Sequence, residues 1–234
     1  MICGLQKMTL LDFPGKVACT VFLGGCNFRC PFCHNSELFM GKPQMLMEDA
    51  EFFHFLEKRQ GLLDGVCVSG GEPTLEKHLA AFLEKIKALG FLVKLDTNGY
   101  RPHVVKELVE KNLVDYIAMD VKNSPAQYGK TAGLPQVDLA AIEETLRFLL
   151  EDHVPYELRT TLVAQLHTEQ SIQDMGAWLA GLVPGVKPKL LFLQPFVDRD
   201  TVLFGNLSAP EKETTRRFAQ ILKPFAESVT IRNE

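Results

Sequence analysis

Phe91-Leu92-Val93-Lys94-Leu95-Asp96-Thr97-Asn98 reads as a β-strand with two unlike faces. Side chains alternate along a strand, so Lys94, Asp96 and Asn98 share one face while Val93, Leu95 and Thr97 share the other. The same parity recurs downstream. In 115–122, Asp120 and Lys122 oppose Ile117, Met119 and Val121; in 156–163, Glu157, Arg159 and Thr161 oppose Leu158 and Leu162. A parallel sheet with helices over both faces should be apolar on both. One charged face on three strands instead predicts the interior of a wide or incomplete barrel that holds a polar ligand.

The rest of the chain alternates in the same way. Val17–Leu23, Gly65–Ser69, Phe91–Asp96, Val114–Asp120, Tyr156–Val163 and Lys189–Gln194 read as strands, and Val229–Arg232 as a short last one. Between them lie helical patterns. Leu75–Leu89 carries Leu79, Phe82, Leu83, Ile86 and Leu89 at helical spacing, with Thr74 as N-cap and Gly90 just past the end. Asp138–Asp152 repeats the pattern with Leu139, Ile142, Leu146 and Leu149, and Ser208-Ala209-Pro210-Glu211 is a capping-box sequence opening a helix to about Phe225. Strands alternating with helices imply a parallel sheet. The reading is an α/β barrel domain over 1–234, with an N-terminal extension at 1–16, the barrel at 17–226 and a C-terminal strand at 227–234.

Composition excludes other classes. The 234 residues are 46% hydrophobic and 23% charged, enough for a real core. No uncharged stretch approaches the roughly 20 residues needed to span a bilayer. Met1-Ile2-Cys3-Gly4-Leu5-Gln6-Lys7 lacks the basic patch and apolar core of an export signal, so a cytoplasmic protein is expected. With 25 basic against 29 acidic residues the net charge is −4, which argues against a broad nucleic-acid surface. Six cysteines are too few for a disulfide scaffold.

Three of them cluster in Gly24-Gly25-Cys26-Asn27-Phe28-Arg29-Cys30-Pro31-Phe32-Cys33-His34-Asn35, directly after the first strand. That is the strand end at which barrel folds place their active sites. Three thiolates within eight residues can wrap one metal centre, since the glycines allow close backbone approach. A closed iron–sulfur cubane takes four cysteines; three leave one iron open to a substrate or cofactor. Two other readings stand beside this one. Cys30-Pro31-Phe32-Cys33 alone has the form of a dithiol redox motif, and Cys26, Cys30, Cys33 and His34 could make a zinc site, although adjacent Cys33 and His34 are awkward around a tetrahedral ion. A second segment, Val68-Ser69-Gly70-Gly71-Glu72-Pro73, ends the second strand; its glycines let backbone lie edge-on to a ligand and the Glu72 carboxylate can receive an ammonium group.

Taken together, the two segments resemble the radical S-adenosylmethionine enzymes, whose signature is C-x3-C-x-aromatic-C followed by a Gly-Gly-Glu segment, with Phe32 in the aromatic place. The resemblance implies a partial (β/α)6 barrel. It also implies one 4Fe-4S cluster on Cys26, Cys30 and Cys33, and S-adenosylmethionine on the open iron with its amine near Gly70, Gly71 and Glu72. Asp12-Phe13-Pro14-Gly15, Cys33-His34-Asn35, Asp96-Thr97-Asn98-Gly99, Asp120-Val121-Lys122 and Arg159 further resemble the subfamily that activates glycyl-radical enzymes, with anaerobic ribonucleotide reductase as the nearest target. That subfamily implies a glycyl-radical enzyme as protein substrate and flavodoxin or ferredoxin as electron donor. It also implies cofactor contacts at Asp96, Thr97, Asn98, Asp120, Lys122 and Arg159. Asp96, Thr97 and Asp120 would gather a monovalent cation, and Asp12 would help hold the incoming glycine loop.

Two departures narrow the match. Leu193-Gln194-Pro195-Phe196-Val197 has no histidine near Val197, where formate-lyase activators carry one, and no cysteine lies between Cys33 and Cys67 to build a second cluster. A small-molecule enzyme of the same family, of the 7-carboxy-7-deazaguanine synthase kind, is the rival. Cys19 and Cys67 read as buried structural thiols, and His54, His78, His103, His153 and His167 as surface or capping residues. Trp178 and Phe52-Phe53-Phe55 read as helix faces packed on the barrel.

Overall fold

A computed structural model describes residues 1–40, 44–202 and 204–232. In chain order the elements are β1 (Ile2–Thr9), β2 (Ala18–Leu23), α1 (Asp49–Glu57), β3 (Gly65–Gly70), α2 (Leu79–Ala88), β4 (Leu92–Thr97), α3 (Pro102–Glu110), β5 (Tyr116–Asp120), α4 (Pro125–Ala132), α5 (Leu139–Leu150), β6 (Tyr156–Leu162), α6 (Glu169–Gly181), β7 (Leu190–Pro195), α7 (Lys212–Leu222) and β8 (Ser228–Ile231). Sheet order follows chain order from β1 to β8. β1 is antiparallel to β2, whereas β2–β3–β4 and β6–β7–β8 are parallel, so the α/β sheet is open and not a closed ring. The residues group into two compact units: Met1–Asn27, Asn35–Thr97 and His103–Ala118 form one, and Phe28–His34, Asn98–Pro102 and Met119–Glu234 the other.

In the first unit β2, β3 and β4 pair in register, with Thr20 opposite Cys67 and Cys67 opposite Lys94. Val21, Val66, Val68, Val93 and Leu95 are buried, as are Leu83 and Ile86 of α2. Burying each such aliphatic side chain stabilises by about 1.5–3 kcal/mol. Phe52 and Phe53 of α1 pack on Phe82 of α2 at 5.5 and 5.3 Å between ring centres, which is the helix-face packing expected of the Phe group. Cys19 and Cys67 are buried, also as expected. In the second unit Leu158, Leu162, Leu191 and Leu193, Ile172 and Met175 of α6, and Phe218 and Leu222 of α7 are all buried, with α7 packed on α6 and β7. Trp178 lies edge-on to Tyr128 at 6.0 Å and donates from Nε1 to Glu143 at 2.9 Å.

The strands fall within two residues of their expected bounds, and three local readings need correction. Residues 1–16 are not a bare extension: 2–9 form β1, which pairs with β2 through two register breaks. Those breaks disrupt the period-2 pattern, so the strand is defined by its partner more than by its own sequence. Thr74 does not cap α2. Glu72 captures the Thr74 N–H and hydroxyl, 73–75 forms a single 3₁₀ turn, and the α-helix waits until Leu79. Ser208 does not open a capping box either. Gln165 Oε1 accepts from the Ser208 N–H and Gln165 Nε2 donates to the Ser208 hydroxyl oxygen, at 3.1 Å each, Ala164 donates to the Ser208 carbonyl, and α7 starts at Lys212. The C-terminal strand ends at Ile231; Asn233 and Glu234 lie outside the described residues. Among the described residues no helix is long and apolar enough to cross a membrane.

Candidate active site

The cysteine loop begins where β2 stops. In the first unit Leu23 and Gly70 are register partners at the ends of β2 and β3, and the chain beyond each turns against the other. Gly71 donates to the Leu23 carbonyl at 2.9 Å, Glu72 to the Gly25 carbonyl at 2.8 Å, and Gly25 to the Leu38 carbonyl at 2.8 Å. Only glycine fits here. Gly70 has φ +128°, and a Cβ on Gly71 would stand 2.0 Å from the Gly25 oxygen and 3.2 Å from Cys26 Cβ. The Gly-Gly pair therefore presses against the backbone that carries Cys26. Asn35, at the far end of the loop, donates from Nδ2 to the Gly70 carbonyl at 3.1 Å.

Glu72 is buried, and its carboxylate accepts from the Thr74 N–H, the Thr74 hydroxyl and the Thr97 hydroxyl at 2.8 Å. The side chain read as an ammonium receiver is therefore turned inward as a structural cap. What the segment offers a ligand is backbone. Beside it, Asp96 accepts from Ser69 at 3.1 Å and from the ammonium of Lys94. Asp12 accepts a hydrogen bond from the Thr20 hydroxyl.

The second unit carries the rest of the loop. Phe28 is buried edge-on against Tyr100 at 5.6 Å, Arg29 N–H donates to Ala132 at 2.9 Å, and Phe32 is buried. Cys33 N–H donates to the Cys30 carbonyl at 3.1 Å, a turn that places the two cysteines on one short arc. His34 donates from Nε2 to the Val197 carbonyl and stacks on Phe196 at 5.6 Å. An imidazole thus does stand near Val197, contributed by the cysteine loop instead of by the strand. Sequence reading placed His34 in a motif without giving it this partner.

Asp120 at the end of β5 accepts from Lys122 Nζ and from Arg159 Nε, each at 3.0 Å. Burial would raise the Asp120 carboxyl, but the two cations outweigh it and bring it down to about 2. Lys122 is held charged: burial works against its ammonium, and Asp120 and the Cys30 sulfur outweigh it. Burial pushes the Cys30 thiol up to about 11 against the pull of Lys122. A cation close to Cys30 favours a thiolate, the form that ligates metal. Lys122 is positioned from behind by His167, which is buried and not a surface residue. Val163 N–H donates to its Nδ1 at 3.1 Å and its Nε2 donates to the Lys122 carbonyl at 3.0 Å. Asn123 adds bonds to Thr131 and to the Leu166 carbonyl at 2.9 Å each. Asn98 serves locally: its Oδ1 accepts from Tyr100 N–H at 3.0 Å.

Among the described residues no disulfide joins any of the six cysteines. Among the described residues no three His, Cys, Asp or Glu side chains stand together as a ready-made metal cage. The donor set nevertheless suits an iron–sulfur cluster: three soft sulfurs in one loop, glycine-only backbone against Cys26 and a fixed cation at Cys30. Arg159 and Lys122 suit a carboxylate, although both already meet Asp120.

The comparisons agree with this chemistry. The family model of the radical SAM superfamily, SAM being S-adenosylmethionine, matches residues 20–179. The chain belongs to the radical SAM superfamily. As such it is an enzyme of iron–sulfur and S-adenosylmethionine radical chemistry, and its open α/β sheet is that family's partial barrel. A Methanocaldococcus jannaschii protein provisionally named a glycyl-radical enzyme activating enzyme is 30% identical, covering 99% of this chain and 95% of its own. A 7-carboxy-7-deazaguanine synthase of Koribacter versatilis is 28% identical over 70% of each chain. A pyruvate formate-lyase-activating enzyme of Listeria monocytogenes is 28% identical over 68% of this radical SAM chain and 67% of its own. Among solved structures, a domain of the Bacteroides vulgatus pyruvate-formate lyase-activating enzyme superposes with TM-score 0.56 at 23% identity, covering 70% of this chain and 98% of that one.

Proposed function

We propose that this radical SAM enzyme activates a glycyl-radical enzyme, with anaerobic ribonucleotide reductase as its target and reduced flavodoxin or ferredoxin as its electron donor. In this reading Cys26, Cys30 and Cys33 hold one 4Fe-4S cluster. When bound, the cluster and S-adenosylmethionine supply the one-electron chemistry that removes a hydrogen atom from a glycine α-carbon. The chain's own residues bind and orient. Gly70, Gly71 and Glu72 offer backbone carbonyls to the methionine amine; Lys122 and Arg159 face its carboxylate; Phe32, Asp96, Thr97, Asn98 and Asp120 line or support the cofactor. Asp12, aimed by Thr20, meets the incoming glycine loop.

One observation carries the reading: the thiol loop seated on glycine-only backbone, in a chain that matches an activating-enzyme relative from end to end. The matching 7-carboxy-7-deazaguanine synthase supports a second reading, in which the enzyme acts on a small molecule. The test is anaerobic reconstitution with iron and sulfide, then reductant and S-adenosylmethionine, with assay for 5′-deoxyadenosine. Anaerobic ribonucleotide reductase is then added and its glycyl radical sought by electron paramagnetic resonance. A radical that requires each of Cys26, Cys30 and Cys33 is expected. Cofactor cleavage with no glycyl radical, but with formation of 7-carboxy-7-deazaguanine, would replace this reading by the second.

A further inference from the structure

Lys94 is a lysine with 1% of its side chain exposed, in the middle of β4. Its ammonium pairs with Asp96 and stands 3.7 Å from Cys67 Sγ. The Ser69 hydroxyl takes the other Asp96 oxygen at 3.1 Å. Thr20, Cys67 and Lys94 are register partners across β2, β3 and β4, so all three project from the same face of the first unit. Asp12 joins that face through Thr20. A buried lysine costs free energy that a methionine or leucine would not, so the charge itself is what the site retains.

The resemblance to activating enzymes implies a diffusible monovalent cation at Asp96, Thr97 and Asp120. The neighbours of these two carboxylates differ from that expectation. Asp96 has an ammonium in contact with it, and Asp120 has an ammonium and a guanidinium. A hard cation is held by several oxygens. At Asp96 one carboxylate oxygen already meets a positive charge that would repel a second cation at the same group, and that ammonium's other neighbour is the Cys67 sulfur.

We propose that Lys94 is a positioning residue that serves as the built-in counter-cation of Asp96, so that this enzyme requires no potassium or sodium ion at that carboxylate. The ammonium keeps Asp96 ionised and aimed, and Ser69 fixes its second oxygen. The consequence for the cofactor rests on the proposed reading of Asp96 as a cofactor contact; the consequence for the ion requirement of the fold does not.

The experiment therefore has two arms, each in potassium, sodium or tetramethylammonium chloride at equal ionic strength. In the first, the full chain without cluster is melted. The wild-type midpoint should agree within about 1 °C in the three salts. Lys94→Met should melt lower in tetramethylammonium and recover by about 4 °C or more in potassium or sodium, as a small cation enters the vacated charge site; Lys94→Arg should stay indifferent. In the second, the reconstituted protein binds S-adenosylmethionine under equilibrium dialysis. Wild-type Kd should vary less than about twofold, whereas Lys94→Met should bind roughly tenfold more weakly in tetramethylammonium and regain affinity with potassium or sodium. A wild-type midpoint or affinity that depends on potassium or sodium overturns the proposal, as does a Lys94→Met variant blind to the salt. If Lys94→Met does not fold, the wild type and Lys94→Arg decide by the same bounds. A wild type that binds no S-adenosylmethionine in any salt counts against the proposed function, and the melting arm still judges Lys94.

Discussion

Replacing Gly71 by Ala tests whether the Gly-Gly pair seats the cysteine loop. The new methyl would sit 2.0 Å from the Gly25 oxygen and 2.6 Å from its carbonyl carbon. Ordinary contact needs about 3.4 Å, so the two backbones must separate by about 1.4 Å. Three backbone hydrogen bonds resist that movement: Gly71 to Leu23, Glu72 to Gly25 and Gly25 to Leu38, all 2.8–2.9 Å. Overpacking costs about 1–3 kcal/mol, and losing one of these bonds about 1 kcal/mol more. The expected destabilisation is thus roughly 2–4 kcal/mol, with Cys26 displaced and iron uptake on reconstitution reduced. Urea unfolding with an unchanged m-value reads the first effect, and iron and sulfide analysis the second. Gly181→Ala is the control, since a Cβ there meets nothing within 4 Å. A Gly71→Ala protein within about 0.5 kcal/mol of wild type that takes up its full iron would refute the reasoning.

Three further outcomes follow from the same geometry. Glu72→Ala, which strands two buried hydroxyls and the Thr74 N–H, should cost about 2–4 kcal/mol, and Glu72→Gln distinctly less; a Glu72→Ala loss below about 0.5 kcal/mol in calorimetry would show that the cap is unimportant. Burial holds His167 below its usual value of 6.5, so below that pH the unfolded chain binds a proton that the folded chain does not. Stability is therefore intact above pH 6.5 and declines as pH falls toward the folded value, by up to about 1.4 kcal/mol per pH unit. In His167→Gln the decline should be shallower, and a wild-type-minus-variant difference that is flat from about pH 7.5 to 5.5 would sink this account. Burial pushes the Cys19 and Cys30 thiols up to about 12 and about 11, while Cys3, Cys26 and Cys33 are half-exposed. In the folded protein without cluster, a disulfide reagent at pH 8 should modify the latter three first. Mass mapping that finds Cys19 or Cys30 modified as fast as Cys33 would contradict it.

The motif chemistry was legible because it is local. Three cysteines in eight residues, two glycines that must approach backbone and a strand-end Asp-x-Lys announce themselves wherever they occur. Strand positions were legible for a similar reason, since period-2 alternation and apolar runs survive without knowledge of the partner. β1 was not, because its exposed middle and two register breaks make sense only beside β2.

Competition among polar groups escaped the sequence as well. Thr74, Ser208 and Glu72 each have a standard local role, and each was claimed by a partner nearby in space: Thr74 by Glu72, Ser208 by Gln165 and Glu72 also by Thr97. His167 looks like any lone histidine until Val163 and Lys122 close over both ring nitrogens. The charged strand faces showed that polar side chains occur at regular intervals, and nothing about pairing. Which cation meets which carboxylate, Lys94 on Asp96 or Lys122 and Arg159 on Asp120, depends on strand register and rotamer. Linear spacing determined the fold class and the cluster chemistry of this protein. Only tertiary structure decided how its buried charges are neutralised, because an ion pair is made by distance in space and its members are chosen by the whole sheet.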